Sequence, residues 1–345
     1  MEWKILIYLL NCFTKVFLDG SFGCSLNDLK DGKPTASNDL HWYLTFVSLE
    51  EPPFFRIISD SKGTEPFIVE GFIPDLVEKI AKYLQLPFRI KRVSEGGYGW
   101  PKPDGTWNGI IGEVIDSVHD VGAAPITRLA FREKYVDFTI PFMKAKIAAL
   151  YSGLAEIKDL SDLIEVDSKT PITYGVIKGS YTERFFRSGN NPLCRRMWKV
   201  MNQEDTFVRS AQEGVAKVLS SNGTFVFFIE SPFAEWHVRN HCDLRLLDFQ
   251  IGPELKYCLI LRHKSPLTKC LNDILRILKS KHFLKRLFKR WWPDRDCAKT
   301  PIPTRMLPTE YKLERPVDGA TSPFWTFQTI YTITTIVIIY PFYLI

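Results

Sequence analysis

The sequence predicts an α/β protein built as two lobes with a ligand cleft between them. Strand and helix signals alternate from His41 to Pro125, and they alternate again from Ile172 onward. This alternation is typical of a mostly parallel sheet with helices on its faces. Because ligands of open α/β sheets bind where strands end and helices begin, two such units in series indicate a cleft.

The first unit opens with the strand run WYLTFVSL at Trp42–Leu49. The next segment, IPDLVEKIAKYLQL, predicts a helix because Pro74 stands at a first-turn position and the apolar side chains recur on one face, at Leu76, Val77, Ile80 and Leu84. The strand FRIKRV, the helix GIIGEVIDSV and the short strand VGAAP follow at 88–93, 109–118 and 121–125.

The second unit repeats this order. Strands are predicted from ITYGVI and FVFFIE, at 172–177 and 225–230. Helices are predicted from TERFFRS and EGVAKVL, at 182–188 and 213–219. Two further helices, LTKCLNDILRIL and HFLKRLFKRWW, close the folded part.

The composition is that of a globular chain, with 45 % hydrophobic and 24 % charged residues among 345. This length allows two domains or one two-lobed domain. The net charge of +6 is small, and the basic residues between Lys279 and Arg290 alternate with Leu and Phe in a helical pattern. That stripe favours a solvated helix face over contact with nucleic acid or acidic lipid, and no nucleic-acid motif accompanies it.

The amino-terminal residues predict a signal peptide over 1–23. The apolar run Ile5–Phe13 follows Lys4 and precedes a small-residue cleavage site at Ser21-Phe22-Gly23. The run is too short to span a bilayer. Residues 24–41 are then expected to form an N-terminal linker.

The carboxyl-terminal residues predict a membrane anchor. Residues 298–321 are rich in Pro and indicate a linker, and 322–345 carry no charge and supply the ~20 residues that a transmembrane helix needs. Pro341 and several Thr residues leave a buried strand as the alternative. We therefore expect a plasma-membrane protein with an extracellular core, or a secreted one if the helix is not retained. In such a compartment Asn222, in Asn-Gly-Thr, is a glycosylation acceptor, and Cys242 and Cys297 are candidates for a bridge.

The first strand–helix junction carries a candidate anion site. Thr127 follows Pro125 and is predicted to cap the N-terminus of a helix that carries Arg132. Unpaired N–H groups at that end and a planar guanidinium that folds back toward it would hold a carboxylate. The alternative is a surface ion pair between Arg132 and Glu133 or Asp137.

The second junction, IKGSYTERFF, opens another predicted helix with Gly179, Ser180 and Thr182. Glu230, at the end of FVFFIE, would accept from an ammonium group, and Tyr98, in GGYGW, would form an aromatic lid. A ligand with two carboxylates and one amine, an acidic amino acid, fits this set. Three alternatives stay open: Glu230 caps the next helix, Tyr98 is a turn aromatic, and Thr182 is only an N-cap.

These residues lie in motifs that resemble the ligand-binding core of the ionotropic glutamate receptors, with the AMPA/kainate branch the most similar. The motifs LEEPPF, EGFIPDLVEKIAKYL, YGWPKPDGTWNGIIGEVID, APITRLAFREKYVDFTIPFM, EGVAKVL, FFIES and RWWPDRDC follow the order and spacing of that family's two core segments. The resemblance implies a two-lobed clamshell like periplasmic binding proteins over 42–297. Lobe one would hold about 42–141 and 257–297, and lobe two about 142–256.

The resemblance also implies roles for single residues. Arg132 would take the ligand's α-carboxylate, while the Pro125 carbonyl, the Thr127 hydroxyl and Glu230 would take its ammonium. Tyr98 would cover the ligand, and Thr182, with Tyr181 beside it, would face the distal carboxylate. Cys242 and Cys297 would form the family's disulfide. Glutamate is the ligand implied first, with no cofactor or metal, and assembly with itself or with other receptor subunits follows from the same resemblance.

Two departures from the family put glutamate in doubt more than amino-acid binding. Tyr181 stands where AMPA and kainate relatives carry a small residue beside the distal carboxylate, so its phenol fills that end of the pocket or points to solvent. Ala211 stands where relatives often carry a hydroxyl that meets a lobe-one Glu, here Glu50, across the closed cleft.

A third departure concerns the pore. In channel subunits three membrane segments separate the two core segments, whereas here only Leu154–Glu156 lie between IAALYSG and IKDLSDLIE. We therefore expect a ligand-binding protein that closes on an amino acid and is not a channel by itself. An isoform or incomplete gene model of a channel subunit, and a modulatory subunit that joins intact channels, are the alternatives. An enzyme is not expected, because the chain shows no nucleophile–base pair, no metal-spaced set and no phosphate loop.

Overall fold

The computed structural model describes residues 43–58, 68–95, 97–153, 172–189, 192–202 and 204–294, with Ile157, Leu163 and residues 307–308 and 310–311. The predicted signal peptide, the N-terminal linker, Cys297 and the predicted transmembrane segment 322–345 lie outside these residues. Within the described part, no helix combines the length and the apolar character that crossing a membrane requires.

Thirteen strands are described. They are β1 (Leu44–Ser48), β2 (Arg56–Ile58), β3 (Ile68–Glu70), β4 (Phe88–Arg92), β5 (Val121–Thr127), β6 (Val136–Phe138), β7 (Met143–Ser152), β8 (Thr173–Ile177), β9 (Phe207–Val208), β10 (Phe225–Glu230), β11 (Leu244–Arg262), β12 (Leu307–Pro308) and β13 (Glu310–Tyr311).

Eight α-helices accompany these strands in the described part. They are α1 (Phe72–Leu84), α2 (Gly109–Ile115), α3 (Tyr181–Ser188), α4 (Pro192–Met201), α5 (Ala211–Ser220), α6 (Ser231–Asn240), α7 (Leu267–Ser280) and α8 (Phe283–Trp291). The elements predicted from the alternating pattern are therefore present, and the prediction of a mixed α/β fold is confirmed.

One large sheet runs through the described residues in the order β13-β4-β1-β5-β11-β7-β10-β8-β9, with β6 beside β11. At one end β1 pairs in parallel with β4 and β5, and at the other end β8 pairs in parallel with β9 and β10. The long strands β7 and β11 pair antiparallel between them. We call β1–β6 with α1, α2, α7 and α8 the first half, and β8–β10 with α3–α6 the second half.

The core follows from the apolar faces that the sequence pattern indicates. Helix α1 buries Ile73, Leu76, Val77 and Ile80 completely, against strands that are themselves apolar. Removing each such side chain from water stabilises the fold by about 1.5–3 kcal/mol. A continuous cluster of buried residues reaches from the first half into the second, and Tyr257 of β11 lies within it.

The segment that carries Arg132 differs from its prediction. Residues 130–135 form consecutive turns rather than a helix, with the Arg132 amide bonded to the Leu129 carbonyl at 2.9 Å. Strand β6 begins at Val136, and the turns end there. Thr127 is the last residue of β5 and caps no helix.

Candidate functional site

The site lies where the carboxyl ends of β5 and β10 approach β11 and β7. Thr127, at the end of β5, is paired with Tyr257 of β11. Glu230, at the end of β10, is paired with Ile147 of β7. Pro125 lies near the β5–β11 register shift, where a residue without an N–H is tolerated. The sheet thus brings the predicted residues of both halves to one place.

Arg132 is buried, with 3 % of its surface exposed. Its Nη1 donates to the Thr127 carbonyl and its Nη2 to the Gly99 carbonyl, each at 3.0 Å. Gly99 has φ of +119°, and a Cβ there would lie 2.6 Å from Cβ of Ile111. Only glycine therefore lets this carbonyl reach the guanidinium.

The alternative of a surface ion pair for Arg132 is wrong. Glu133 pairs with Arg128 on the surface, and Asp137 lies 3.2 Å from His263. The Nε of Arg132 is buried without a hydrogen-bond partner in the described structure. Burial lowers the pKa of Arg132 to about 10, so the guanidinium is still charged at neutral pH.

Glu230 occupies the N-cap position of α6, yet its side chain makes no capping hydrogen bond. The Tyr257 hydroxyl donates to it instead, and a side-chain hydrogen bond joins it to Thr127. Burial raises the pKa of Glu230 to about 7, opposed first by the Tyr257 bond and more weakly by the charge of Arg132. The capping alternative is therefore wrong, and the carboxylate faces the site.

Tyr98 is not a simple turn aromatic. Its hydroxyl donates to Glu51, and burial together with the charge of that carboxylate raises the pKa of Tyr98 well above its usual value. Burial also raises the pKa of Glu51 to about 7. The charges of Glu230 and Arg132 act on Tyr98 as well, so the phenol lies in the same buried site.

The first turn of α3 forms the wall contributed by the second half. Ser180 is the N-cap residue, since its side chain accepts from the Glu183 amide at 3.1 Å. Thr182 lies within the helix and is 2 % exposed, so it is not the N-cap. Tyr181 is half-buried, and burial together with the charge of Glu230 raises its pKa. The phenol is therefore within range of the charge of Glu230 and is not fully exposed to solvent.

Arg184, on the same helix, contacts aromatic rings of the first half. Its Cζ lies 5.1 Å from the centre of the Trp100 ring and 4.9 Å from that of Phe131. Trp100 and Phe131 stack at 5.4 Å, and Trp107 stacks on Phe131 at 5.9 Å. The Cζ of Arg132 lies 4.9 Å from the Trp100 ring. We call Arg184, Trp100 and Phe131 the aromatic clasp.

The resemblance places Glu50 and Ala211 opposite each other across the cleft, where relatives often form a polar contact. Glu50 lines a cavity of about 370 Å³ together with Arg92 and with Gln212 of α5. Glu50 accepts from the Ile57 amide at 3.3 Å and lies 3.5 Å from Arg92, so its partners belong to the first half. Ala211, which begins α5, has no hydroxyl to offer.

Cys242 and Cys270 each take part in a disulfide bond, whereas Cys194 and Cys258 are buried free thiols. Because Cys297 lies outside the described residues, the pairing of Cys242 with it stays a prediction, and the bridge of Cys270 was not predicted. Asn222 is exposed in a turn, which suits a glycosylation acceptor. In the part of the chain that the structure describes, no three His, Cys, Asp or Glu side chains are grouped to hold a metal ion.

Sequence reasoning missed several residues of the site. Glu51 lies within the motif LEEPPF, but nothing in that motif distinguishes its carboxylate from that of Glu50. Tyr257 reads as one more apolar residue of a strand, and only the pairing of β11 with β5 places it beside Glu230. No local sequence pattern identifies Trp100 and Arg184 as residues of the site, because the contact between them joins the two halves.

Comparison with known proteins finds similarity to glutamate receptors. A family model described as "Ligated ion channel L-glutamate- and glycine-binding site" matches residues 43–154. "Glutamate receptor ionotropic, kainate 5" of Mus musculus is 24 % identical over 373 residues, covering 72 % of this chain and 37 % of that protein. The chain therefore spans well under half the length of this relative. Since 373 positions exceed the length of this chain, the relative contains residues within the aligned region that have no counterpart here.

"Probable glutamate receptor" of Gallus gallus is 34 % identical over 362 residues, covering 72 % of each chain. Among solved structures, "Drosophila muscle GluRIIB complex with glutamate" superimposes with a TM-score of 0.66 and 26 % identity, covering 74 % of this chain and all of that one. The chain belongs to the ionotropic glutamate receptor family.

Proposed function

We propose that this member of the ionotropic glutamate receptor family binds an α-amino acid between the two halves of its sheet. Arg132 takes the α-carboxylate through its planar fork. The Glu230 carboxylate, the Thr127 hydroxyl and the Pro125 carbonyl take the α-ammonium, and Tyr98 covers the ligand from the first half. The halves act as the two lobes, about 42–141 with 257–297 and about 142–256.

The proposal rests mainly on one observation. A buried cation, Arg132, and a half-buried anion, Glu230, come from opposite halves and act on each other's charge. Burying both without a ligand is unfavourable, as the raised pKa of Glu230 and the lowered pKa of Arg132 record. A zwitterion supplies both counter-charges at once.

Closure of the cleft follows from this arrangement. The ligand contacts groups of both halves only when they approach, so its affinity is greater for the closed form, and that difference shifts the equilibrium. The relative solved as a complex with glutamate supports the proposal of amino-acid binding.

Calorimetry of the full chain with glutamate, aspartate, glycine, serine and alanine tests the proposal. We expect at least one to bind, and Arg132→Ala to weaken that binding by ~30- to 5000-fold, because truncating a buried charge partner costs 2–5 kcal/mol. Arg128→Ala is the matched control, since Arg128 lies in the same segment but pairs with Glu133 on the surface. Unchanged affinity in Arg132→Ala would refute the proposal.

We also infer that the chain does not conduct ions by itself. The short junction at Leu154–Glu156 leaves no room for membrane segments between the two core segments. The residues of the kainate 5 relative that lack a counterpart here are consistent with this reading. Residues 322–345 would tether the core to the plasma membrane, with the core outside the cell.

Assembly with intact subunits of the family is the second candidate function, favoured by the same junction together with the family membership. Co-precipitation of the full chain with a kainate-type subunit from co-expressing cells tests it. Recovery of the subunit with the chain is expected, and its absence from the precipitate would refute assembly.

A further inference from the structure

We propose that Tyr181 and Glu183 make the cleft selective for an α-amino acid with a short, uncharged side chain, such as glycine, alanine or serine, and against a second carboxylate. This inference rests on the proposed function, since it concerns the part of the ligand that Arg132 and Glu230 do not hold. Once those two residues fix the α-groups, the side chain of the ligand must extend toward the first turn of α3.

Tyr181 takes up space at that turn. Its ring packs against two buried clusters, and the centre of the ring lies 6.5 Å from that of Phe185. The phenol is held there by Phe185, which in turn packs on Phe186 at 5.3 Å. The charge of Glu230 also acts on the Tyr181 phenol, so the two side chains lie within electrostatic range of each other. A long ligand side chain would have to displace it.

Glu183 places a carboxylate beside the helix end that would attract an anion. Helix N-termini bind anions through free amides and a partial positive charge. Here the Gly179 amide donates to the Glu183 carboxylate at 2.5 Å, and the Glu183 amide donates to Ser180. The residue is 7 % exposed, so its charge is poorly screened. A second carboxylate at this turn would face a fixed negative charge.

Among the described residues, no further buried cation lies at this turn to balance a second carboxylate of the ligand. Arg132 is engaged by the α-carboxylate, and Arg187 pairs with Glu183 at 3.2 Å from an exposed position. Arg184 lies on the exposed side of the helix, against the clasp rings. Two acids, Glu51 and Glu230, already share the interior. A dicarboxylate would therefore bury an unpaired charge, which is strongly unfavourable.

Calorimetry of the full chain tests the selectivity. We expect glycine, alanine or serine to bind at least roughly tenfold more tightly than aspartate and glutamate. The double variant Tyr181→Ala, Glu183→Gln opens the space and removes the charge, so its affinity for glutamate should rise by about tenfold while its affinity for glycine changes by less than about threefold. Gln keeps the shape of Glu183 and its bond to Gly179, which protects the helix start.

The single variant Tyr181→Phe, with Glu183 unchanged, is the matched control. It preserves the ring, so its affinity for glutamate should not increase. Thermal unfolding of each variant shows that it is folded. If the unaltered chain binds glutamate most tightly and Arg132→Ala loses that binding, the proposed selectivity is wrong. The proposed function would still hold. Unchanged glutamate affinity in the folded double variant would also overturn the selectivity. Absence of any amino-acid binding would overturn both.

Discussion

Arg132 is held by two carbonyl groups, and neither carries a full charge. Its charge is therefore only partly compensated inside the protein, and Glu230 acts on it from the other half without forming an ion pair with it in the described structure. The negative charges of Glu51 and Glu230 are also poorly compensated, because burial raises the pKa of each carboxyl to about 7. These three side chains are prepared for a ligand that carries both charges.

The first prediction follows from the raised pKa values of Glu51 and Glu230. An ammonium group binds the ionised carboxylates, so ligand affinity should rise by roughly tenfold from pH 6 to pH 8 and level off above. Binding near pH 7 should release protons, because the ligand favours the ionised forms. Binding heats measured in buffers of different ionisation enthalpy report that release. A flat affinity across this range without proton release would contradict it.

The same groups fix the sign of the stability change in the empty protein. Their pKa values in the folded state lie above the unfolded value of 4.5, so the folded chain binds more protons between about pH 4.5 and 7. Their contribution to the free energy of unfolding is therefore lost as the pH rises through 7. The ligand-induced rise in unfolding temperature should be larger at pH 8 than at pH 6.

The residues of the site could be predicted only in part from the sequence. Arg132 and Glu230 stand next to strand ends, where local pattern and resemblance agree. Their burial, and the choice of Tyr257 rather than a helix end as the partner of Glu230, depend on pairing between distant strands. No local pattern contains that information.

Among the elements, helices with a clear apolar face were predicted well. Helix α1 shows why, because its buried apolar residues Leu76, Val77 and Ile80 recur at helical spacing. The segment after Thr127 was predicted wrongly, because a capping residue and a following Arg are compatible with either a helix or turns. In the structure these residues form turns, which end where Val136 pairs with Arg262 at the start of β6.

The second prediction concerns α3 and its clasp. Arg184→Ala removes a cation from two rings of the opposite half, a contact worth about 0.5–1 kcal/mol at an exposed site. Ligand affinity should fall by roughly 2- to 5-fold, because closure loses this contact. Calorimetry measures it, with Lys199→Ala of α4, an exposed basic residue of the same half, as the control. Equal affinities in Arg184→Ala and the unaltered chain would show that the clasp does not stabilise closure.

The third prediction concerns the bridge after α6. Arg239 donates to the Trp292 carbonyl at 3.1 Å and pairs with Asp294, so the chain leading to Cys297 passes beside the end of the helix that precedes Cys242. We expect peptide mapping without reduction to recover Cys242 joined to Cys297. By the chain-entropy model, closing this loop stabilises the fold by about 4 kcal/mol.

The free thiols of Cys194 and Cys258 provide the internal control for that mapping. Both should react with an alkylating reagent only after unfolding, and without prior reduction, because both are buried. Recovery of alkylated Cys297 from the unreduced chain would contradict the predicted pairing.

For the whole molecule, alternation of strands and helices was enough to predict two α/β units. It did not predict the nineteen-residue strand β11, which contains Gly252 and Pro253. The strand continues past them with register shifts on β7, and Gly252 adopts a φ of +77°. This strand and β7 connect the two halves, which is why the site could be assembled only after the sheet was known.

The fourth prediction is that the full chain expressed alone in oocytes gives no amino-acid-evoked current, because the junction at Leu154–Glu156 contains no pore segments. Surface biotinylation in the same cells controls for poor expression. A reproducible evoked current from cells that express only this chain would contradict it.

The central claim is that Arg132 and Glu230, on opposite halves, hold the two charges of one zwitterion. The most direct measurement is the calorimetric affinity of Arg132→Ala and of Glu230→Gln for the amino acid that binds the unaltered chain most tightly. We predict that each loses at least ~30-fold in affinity. Unaltered affinity in either variant, with the protein folded, would contradict the claim.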